Sequence, residues 1–120
     1  MPSTEVVERF LATVEAGHGV EAIRTFYAEH ATMKENQSEP RTGKQALLKH
    51  EEAAQASVVN PRASCIRPVL INGDIVVVRW TFEYQLRSGK SVRFEELAYQ
   101  RWEGNLIVEE QFFYDPGQLK

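Results

Sequence analysis

The stretch Ile75–Arg87, IVVVRWTFEYQLR, decides the fold. Val76, Val78, Trp80, Phe82, Tyr84 and Leu86 share one parity; Val77, Arg79, Thr81, Glu83, Gln85 and Arg87 share the other. A period of two with one apolar face predicts a strand in a sheet covered on one side. Turn signals flank it: Asn72-Gly73-Asp74 before and Ser88-Gly89-Lys90 after. They predict hairpins to strands over 62–71 and 92–103, and Gly104-Asn105 leads to a last strand over 106–114. The second half of the chain is therefore an antiparallel meander.

The first half reads as helices. Ser3 or Thr4 can cap a first helix with Glu5 and Glu8 in its opening turns. Val6, Val7, Phe10, Leu11 and Val14 recur at helical spacing. Gly17 and Gly19 end this helix, and a short second one places Val20, Ile23, Phe26 and Tyr27 inward. Ala31–Glu35 reads as a short strand, and Asn36–Gly43 (NQSEPRTG) as a loop. Lys44–Ser57, rich in Ala, Leu, Glu and Lys, reads as a third helix closed by Asn60-Pro61. Three helices must cover one face of a curved, mostly antiparallel sheet, an α+β arrangement.

The 120 residues make one domain, 1–120, because two independent cores need roughly 100 residues each. Apolar residues are 42% of the chain, enough for a core. The net charge is −3; residues 1–60 carry 6 basic and 9 acidic groups, and residues 61–120 carry 8 of each. Without a basic stripe in either half, nucleic acid is not an expected partner. No run approaches the roughly 18 apolar residues of a membrane span. The acidic N-terminal segment MPSTEVVERF lacks the features of a signal peptide, so a cytoplasmic location is expected. The one cysteine, Cys65, excludes an internal disulfide and reads as a small strand residue. His18, His30 and His50 are dispersed, with no i, i+4 pair, so no metal site is expected.

Three short strings carry a family resemblance. Arg24–Thr32 (RTFYAEHAT), Ser38–Gly43 (SEPRTG) and Phe82–Gln85 (FEYQ), set in this order of elements, resemble the nuclear transport factor 2-like superfamily. That superfamily includes the ketosteroid isomerases and the SnoaL-like polyketide cyclases. The resemblance spans essentially the whole chain and implies a cone-shaped α+β fold around a blind pocket. It also implies a small-molecule ligand, chemistry without a cofactor, and a homodimer formed through the outer sheet face. The same scaffold carries isomerases, cyclases, dehydratases and non-catalytic modules, so fold alone does not choose among them.

By that resemblance Glu35 takes the place of the isomerases' proton-shuttling carboxylate. The two oxyanion donors do not transfer: Phe10 and Ala98 stand at those positions. Losing even one such donor costs about 10²–10³ in rate, so ketosteroid isomerisation itself is not expected. With Ala98 inward, strand parity turns Phe94, Glu96, Gln100 and Trp102 inward too. The resemblance places Glu109, Gln111 and Phe113 on the inner face of the last strand, and Ile75, Val77, Leu97, Tyr99, Val108, Phe112 and Tyr114 then share the outer parity. Glu35 and Glu96 are the candidate catalytic groups, because carboxylates on apolar faces have raised pKa values suited to acid–base work. Phe10, Phe26, His50, Trp80, Phe82, Phe94, Gln100, Glu109, Gln111 and Phe113 are the candidate ligand-binding residues. Plainer readings stand beside these. Glu35 can be a solvated strand end, a bulge can carry Glu95 and Glu96 to an edge, Glu109 can lie at the rim, and His50 can belong to a solvated run over 49–52. Two functions follow: a cofactor-independent isomerase, cyclase or dehydratase using a pocket carboxylate as base, or a non-catalytic ligand-binding or dimerisation module.

Overall fold

A computed structural model describes residues 1–120. Three helices, α1 (Thr4–Glu15), α2 (Gly19–Phe26) and α3 (Lys44–Ala56), pack on a six-stranded sheet. The strands are β1 (Tyr27–Glu35), β2 (Arg41–Thr42), β3 (Val58–Asn72), β4 (Ile75–Leu86), β5 (Ser91–Glu103) and β6 (Leu106–Phe113), followed by a 3₁₀ turn over Pro116–Leu119. Their spatial order is β2-β1-β6-β5-β4-β3. All neighbours are antiparallel except β1 and β6, which run parallel.

Local chemistry sets the helix limits. The Ser3 side chain accepts from the Val6 N–H at 3.1 Å and caps α1. Val7, Phe10 and Leu11 are the buried stripe of that helix. Gly43 precedes α3 at φ +94°, a left-handed conformation that a side chain would strain. At the far end of α1 the Glu15 carboxylate accepts from the Cys65 N–H at 3.0 Å, and Glu8 forms a two-bond pair with Arg67, so the helix is laid along β3. Cys65 is half-buried against the core, and burial pushes its thiol pKa up.

The meander matches the sequence reading, with β3 starting four residues early at Val58. Two boundaries differ. Tyr27 is the first residue of β1, not the last turn of α2; its backbone is extended at φ −108° and ψ 142°. The loop at 36–43 contains the two-residue strand β2, which pairs with Thr32 and Met33. The core joins the helices to the concave face of the sheet. Phe10 is its hub, edge-on to Phe26 at 5.6 Å and to Trp102 at 5.9 Å.

One irregularity positions the site. A tight hairpin through Gly104-Asn105 pairs Glu103 with Leu106 and Trp102 with Ile107. Regular pairing would then put Glu109 opposite Gln100. A bulge at Val108 intervenes, so Arg101 pairs with Glu109, Gln100 with Glu110 and Ala98 with Phe112. Beyond the bulge, every β6 side chain faces opposite to the sequence expectation. Phe112 therefore faces the concave side, not the outer surface. Beyond β6, the Tyr114 hydroxyl likewise reaches Glu35. Val108 is buried.

Candidate active site

The concave sheet face and the helices enclose a cavity of about 360 Å³. Cross-strand register sets the concave face beneath it in rows. Met33, Glu110, Gln100 and Val76 form one row, and Glu35, Phe112, Ala98 and Val78 the next. Glu96 beside Trp80 and Phe94 beside Phe82 continue toward the open end. Trp80 and Phe82 lie at 5.8 Å and 30°, and Phe82 and Phe94 at 5.3 Å and 31°, a continuous aromatic wall. Phe10 comes from α1; His50 and Glu51 come from α3.

The most buried charged group in the lining is Glu110, only 3% exposed. Tyr27 donates its hydroxyl to one carboxyl oxygen, and Gln100 Nε2 donates to the other at 2.7 Å. The Gln100 carbonyl accepts from Trp102 Nε1 at 3.1 Å, which fixes the orientation of the amide. Burial raises the Glu110 pKa to about 7 against the opposing pull of the two donors. Burial also pushes the Tyr27 hydroxyl well above its ordinary range, with the Glu110 charge adding to it. Tyr27 thus stays a proton donor. Tyr27→Phe leaves one oxygen of a buried carboxyl without its partner. It is expected to cost about 1–3 kcal/mol of stability, read as a lower urea midpoint with an unchanged slope.

Glu96 and Glu35 have opposite surroundings. No protein group donates a hydrogen bond to Glu96. Burial, then the charges of Glu110, Glu35 and Glu51, raise its pKa to about 8. For Glu35, burial pushes upward, but the ion pair with Arg41 and the hydrogen bond from Tyr114 outweigh it, and its pKa is lowered. The Tyr114 hydroxyl donates at 3.0 Å and is itself pushed up to about 12, by burial and then by Glu35. Near neutral pH the cavity therefore holds an anchored anion at Glu35 and an uncharged, unbonded carboxylic acid at Glu96. No group of three or more His, Cys, Asp or Glu side chains is arranged to hold a metal ion. No helix is long and apolar enough to cross a membrane.

Seven of the residues singled out from sequence line the cavity: Glu35, Glu96, Phe10, His50, Trp80, Phe82 and Phe94. His50 does so while remaining exposed. Five do not. Phe26 is buried behind Phe10. Gln100 faces inward but lies beneath the cavity floor, fully buried. Glu109 is on the outer surface, paired with Arg101 at 2.6 Å. Gln111 donates to the Asn36 carbonyl at 2.7 Å, and Phe113 is 40% exposed. The bulge at Val108 accounts for these last three. Tyr27, Arg41, Glu51 and Glu110 also line the cavity, and Tyr114 stands behind Glu35, none of them among the residues that sequence singles out. Only Tyr27 left a trace, as an inward aromatic assigned to the wrong element.

The family profile of the SnoaL-like domain matches residues 7–110. No curated protein matches the chain. Among solved structures, a protein described as a SnoaL-like polyketide cyclase from Mesorhizobium loti is similar at TM-score 0.77 and 22% identity. That match covers 92% of this chain and 97% of the other. One described as a polyketide cyclase from Pseudomonas putida gives TM-score 0.81 at 19% identity, covering 99% and 96%. A protein with a ketosteroid isomerase-like fold from Catenulispora acidiphila, in complex with trimethylamine, gives 0.78 at 17% identity, covering 94% and 87%. At these identities the structural matches establish a shared fold. With the profile spanning nearly the whole core, the bulged sheet and its enclosed cavity are those of a member of the SnoaL-like domain family, within the nuclear transport factor 2-like superfamily.

Proposed function

We propose that the cavity is a small-molecule site in which Glu96 exchanges a proton with the ligand, in a cofactor-independent isomerisation, cyclisation or dehydration. One observation carries this reading. Glu96 is a carboxyl group open to the cavity, without a hydrogen-bond partner, and its pKa is raised to about 8. A base of that strength still ionises within the physiological range. Glu35, the base expected from sequence, is already ionised and held by Arg41 and Tyr114. Its role in this reading is to orient the ligand. The aromatic wall supplies apolar contact.

β-Tetralone, a small bicyclic ketone with acidic α-protons, is a suitable probe. Deuterium uptake at its α-carbon in D₂O, followed by NMR, is expected to be accelerated by the protein, with a rate rising toward pH 8. Glu96→Gln is expected to lower that rate at least about 100-fold and Glu35→Gln by less than about tenfold. The reverse order would return the base role to Glu35.

The alternative is a non-catalytic binding or dimerisation module. It is favoured by Phe10 and Ala98, neither of which offers an oxyanion donor. The outer sheet face suits a second copy of the chain in either case. Leu97, Tyr99 and Phe113 are 45%, 47% and 40% exposed there, among Arg79, Arg93 and Arg101. Light scattering after size exclusion at micromolar concentration is expected to give twice the monomer mass; a monomer alone would contradict it.

A further inference from the structure

The charges around the cavity do not balance. Five carboxylates line it, Glu35, Glu51, Glu83, Glu96 and Glu110, against two guanidinium groups, Arg41 and Arg62, and the exposed His50. Both guanidinium groups have acidic neighbours. Arg41 pairs with Glu35, and the exposed Arg62 sits opposite the exposed Glu83 in the β3–β4 register. Glu51, Glu96 and Glu110 are left facing the enclosed space without a cation. Beside them runs the wall of Trp80, Phe82 and Phe94. Aromatic rings attract cations through their quadrupoles, and carboxylates do so through charge. Two independent kinds of side chain, in one enclosed space, thus favour the same ligand chemistry. A carboxylate or phosphate ligand would add an anion beside three acidic groups.

We propose that the ligand of this cavity carries a protonated amine, seated between the Trp80–Phe82–Phe94 wall and the carboxyl group of Glu96. This rests on reading the cavity as a small-molecule site and names the charge class of what enters it. The volume of about 360 Å³ is at the small end of ligand pockets, which suits a compact aryl-alkyl amine.

The seat has a proton linkage. Glu96 shares the cavity with Glu110 from β6, Glu35 and Tyr27 from β1, Arg41 from β2, and Glu51 and His50 from α3, and its charge is felt by the Tyr114 hydroxyl beyond β6. Burial and the surrounding acids keep it protonated at neutral pH. An ammonium group favours the ionised form, so the ligand must displace that proton on entering. Affinity for an amine that itself stays charged should rise about tenfold per pH unit below pH 8 and then level off.

Calorimetry on the full chain with three matched probes tests this: 2-phenylethylamine, 2-phenylethanol and phenylacetate, at pH 6, 7 and 8. Phosphate and HEPES buffers, which differ in ionisation enthalpy, are compared at pH 7 to count protons. The amine is expected to bind at least tenfold tighter than the alcohol at pH 8. It should release about one proton at pH 7 and show the tenfold pH slope. Phenylacetate is expected to bind weakest. Glu96→Gln should flatten the slope and remove most of the amine preference while retaining the alcohol. Alcohol or phenylacetate binding as tightly as the amine at pH 8 would overturn the charge class and leave the small-molecule site standing. Binding of none of the three to the wild-type protein would overturn both.

Discussion

Trp102→Ala is expected to cost the protein about 3–5 kcal/mol of stability, the range for truncating a fully buried large aromatic. Trp102 has no exposed surface and meets Phe10 edge-on at 5.9 Å. The void left behind adjoins the hub that joins α1 to the sheet, so helices and sheet lose contact together. The indole N–H also orients the Gln100 amide. Without it, the Gln100 carbonyl is a buried acceptor with no partner, and the amide is free to turn its oxygen toward Glu110. That would replace a donor on a buried carboxyl with a repelling dipole. Thermal unfolding is the measurement, and a fall of more than about 10 °C is expected for a domain of this size. Leu70→Ala, at a position 60% exposed on the edge strand β3, should move stability by no more than about 1 kcal/mol. A Trp102 variant within that smaller range would show that the layer under the cavity floor does not hold the fold.

Stability should also fall as pH rises from about 5 to 8, the opposite of the trend set by ion-paired carboxylates. Glu110 and Glu96 have folded-state pKa values near 7 and 8, against an ordinary 4.5. Between those limits the native chain holds protons that the unfolded chain has released. The unfolded state therefore gains on the native state as pH increases. The loss across that window is on the order of a few kcal/mol. Below about pH 4.5 the sign reverses. Glu35 has a lowered pKa, so its contribution is present above the unfolded value and lost on acidification. The two trends place the optimum near pH 5. Glu96→Gln should leave the melting temperature at pH 5 nearly unchanged and raise it at pH 8. A curve that rises from pH 5 to 8 would mean that these carboxyls are solvated in solution.

Much of the architecture was legible because period-two patterning and turn chemistry are local. The β4 alternation and the turns at Asn72-Gly73-Asp74 and Ser88-Gly89-Lys90 needed nothing beyond near neighbours. On β5 one fixed position was enough to orient Phe94, Glu96, Ala98, Gln100 and Trp102 inward. Parity gives a face but not a depth. Gln100 has the right face and lies below the cavity floor. It also carries no information across a bulge. The Glu109-Glu110 pair offered two carboxylates of opposite parity, and nothing in composition marks Val108 as the residue that reverses them. Tyr27 was missed because the α2–β1 junction has no glycine or proline to end the helix. The clasp on Glu35 joins Arg41, six residues away, to Tyr114, 79 residues away, and only the folded sheet brings them together.

The parallel pairing of β1 with β6 bears on the order in which this protein acquires function. Thr32 to Glu35 meet Glu109 to Phe112, partners nearly 80 residues apart that no hairpin connects. Closing so long a loop is slow compared with zipping the meander. Helices and meander are made of local pairings, but Met33 and Glu35 stand beside Glu110 and Phe112 only after that closure. The cavity is consequently expected to be the last part of the molecule to form. During refolding, ligand binding should appear after most secondary structure has formed, and a ligand that binds only the closed form would act as a latch on this final seam.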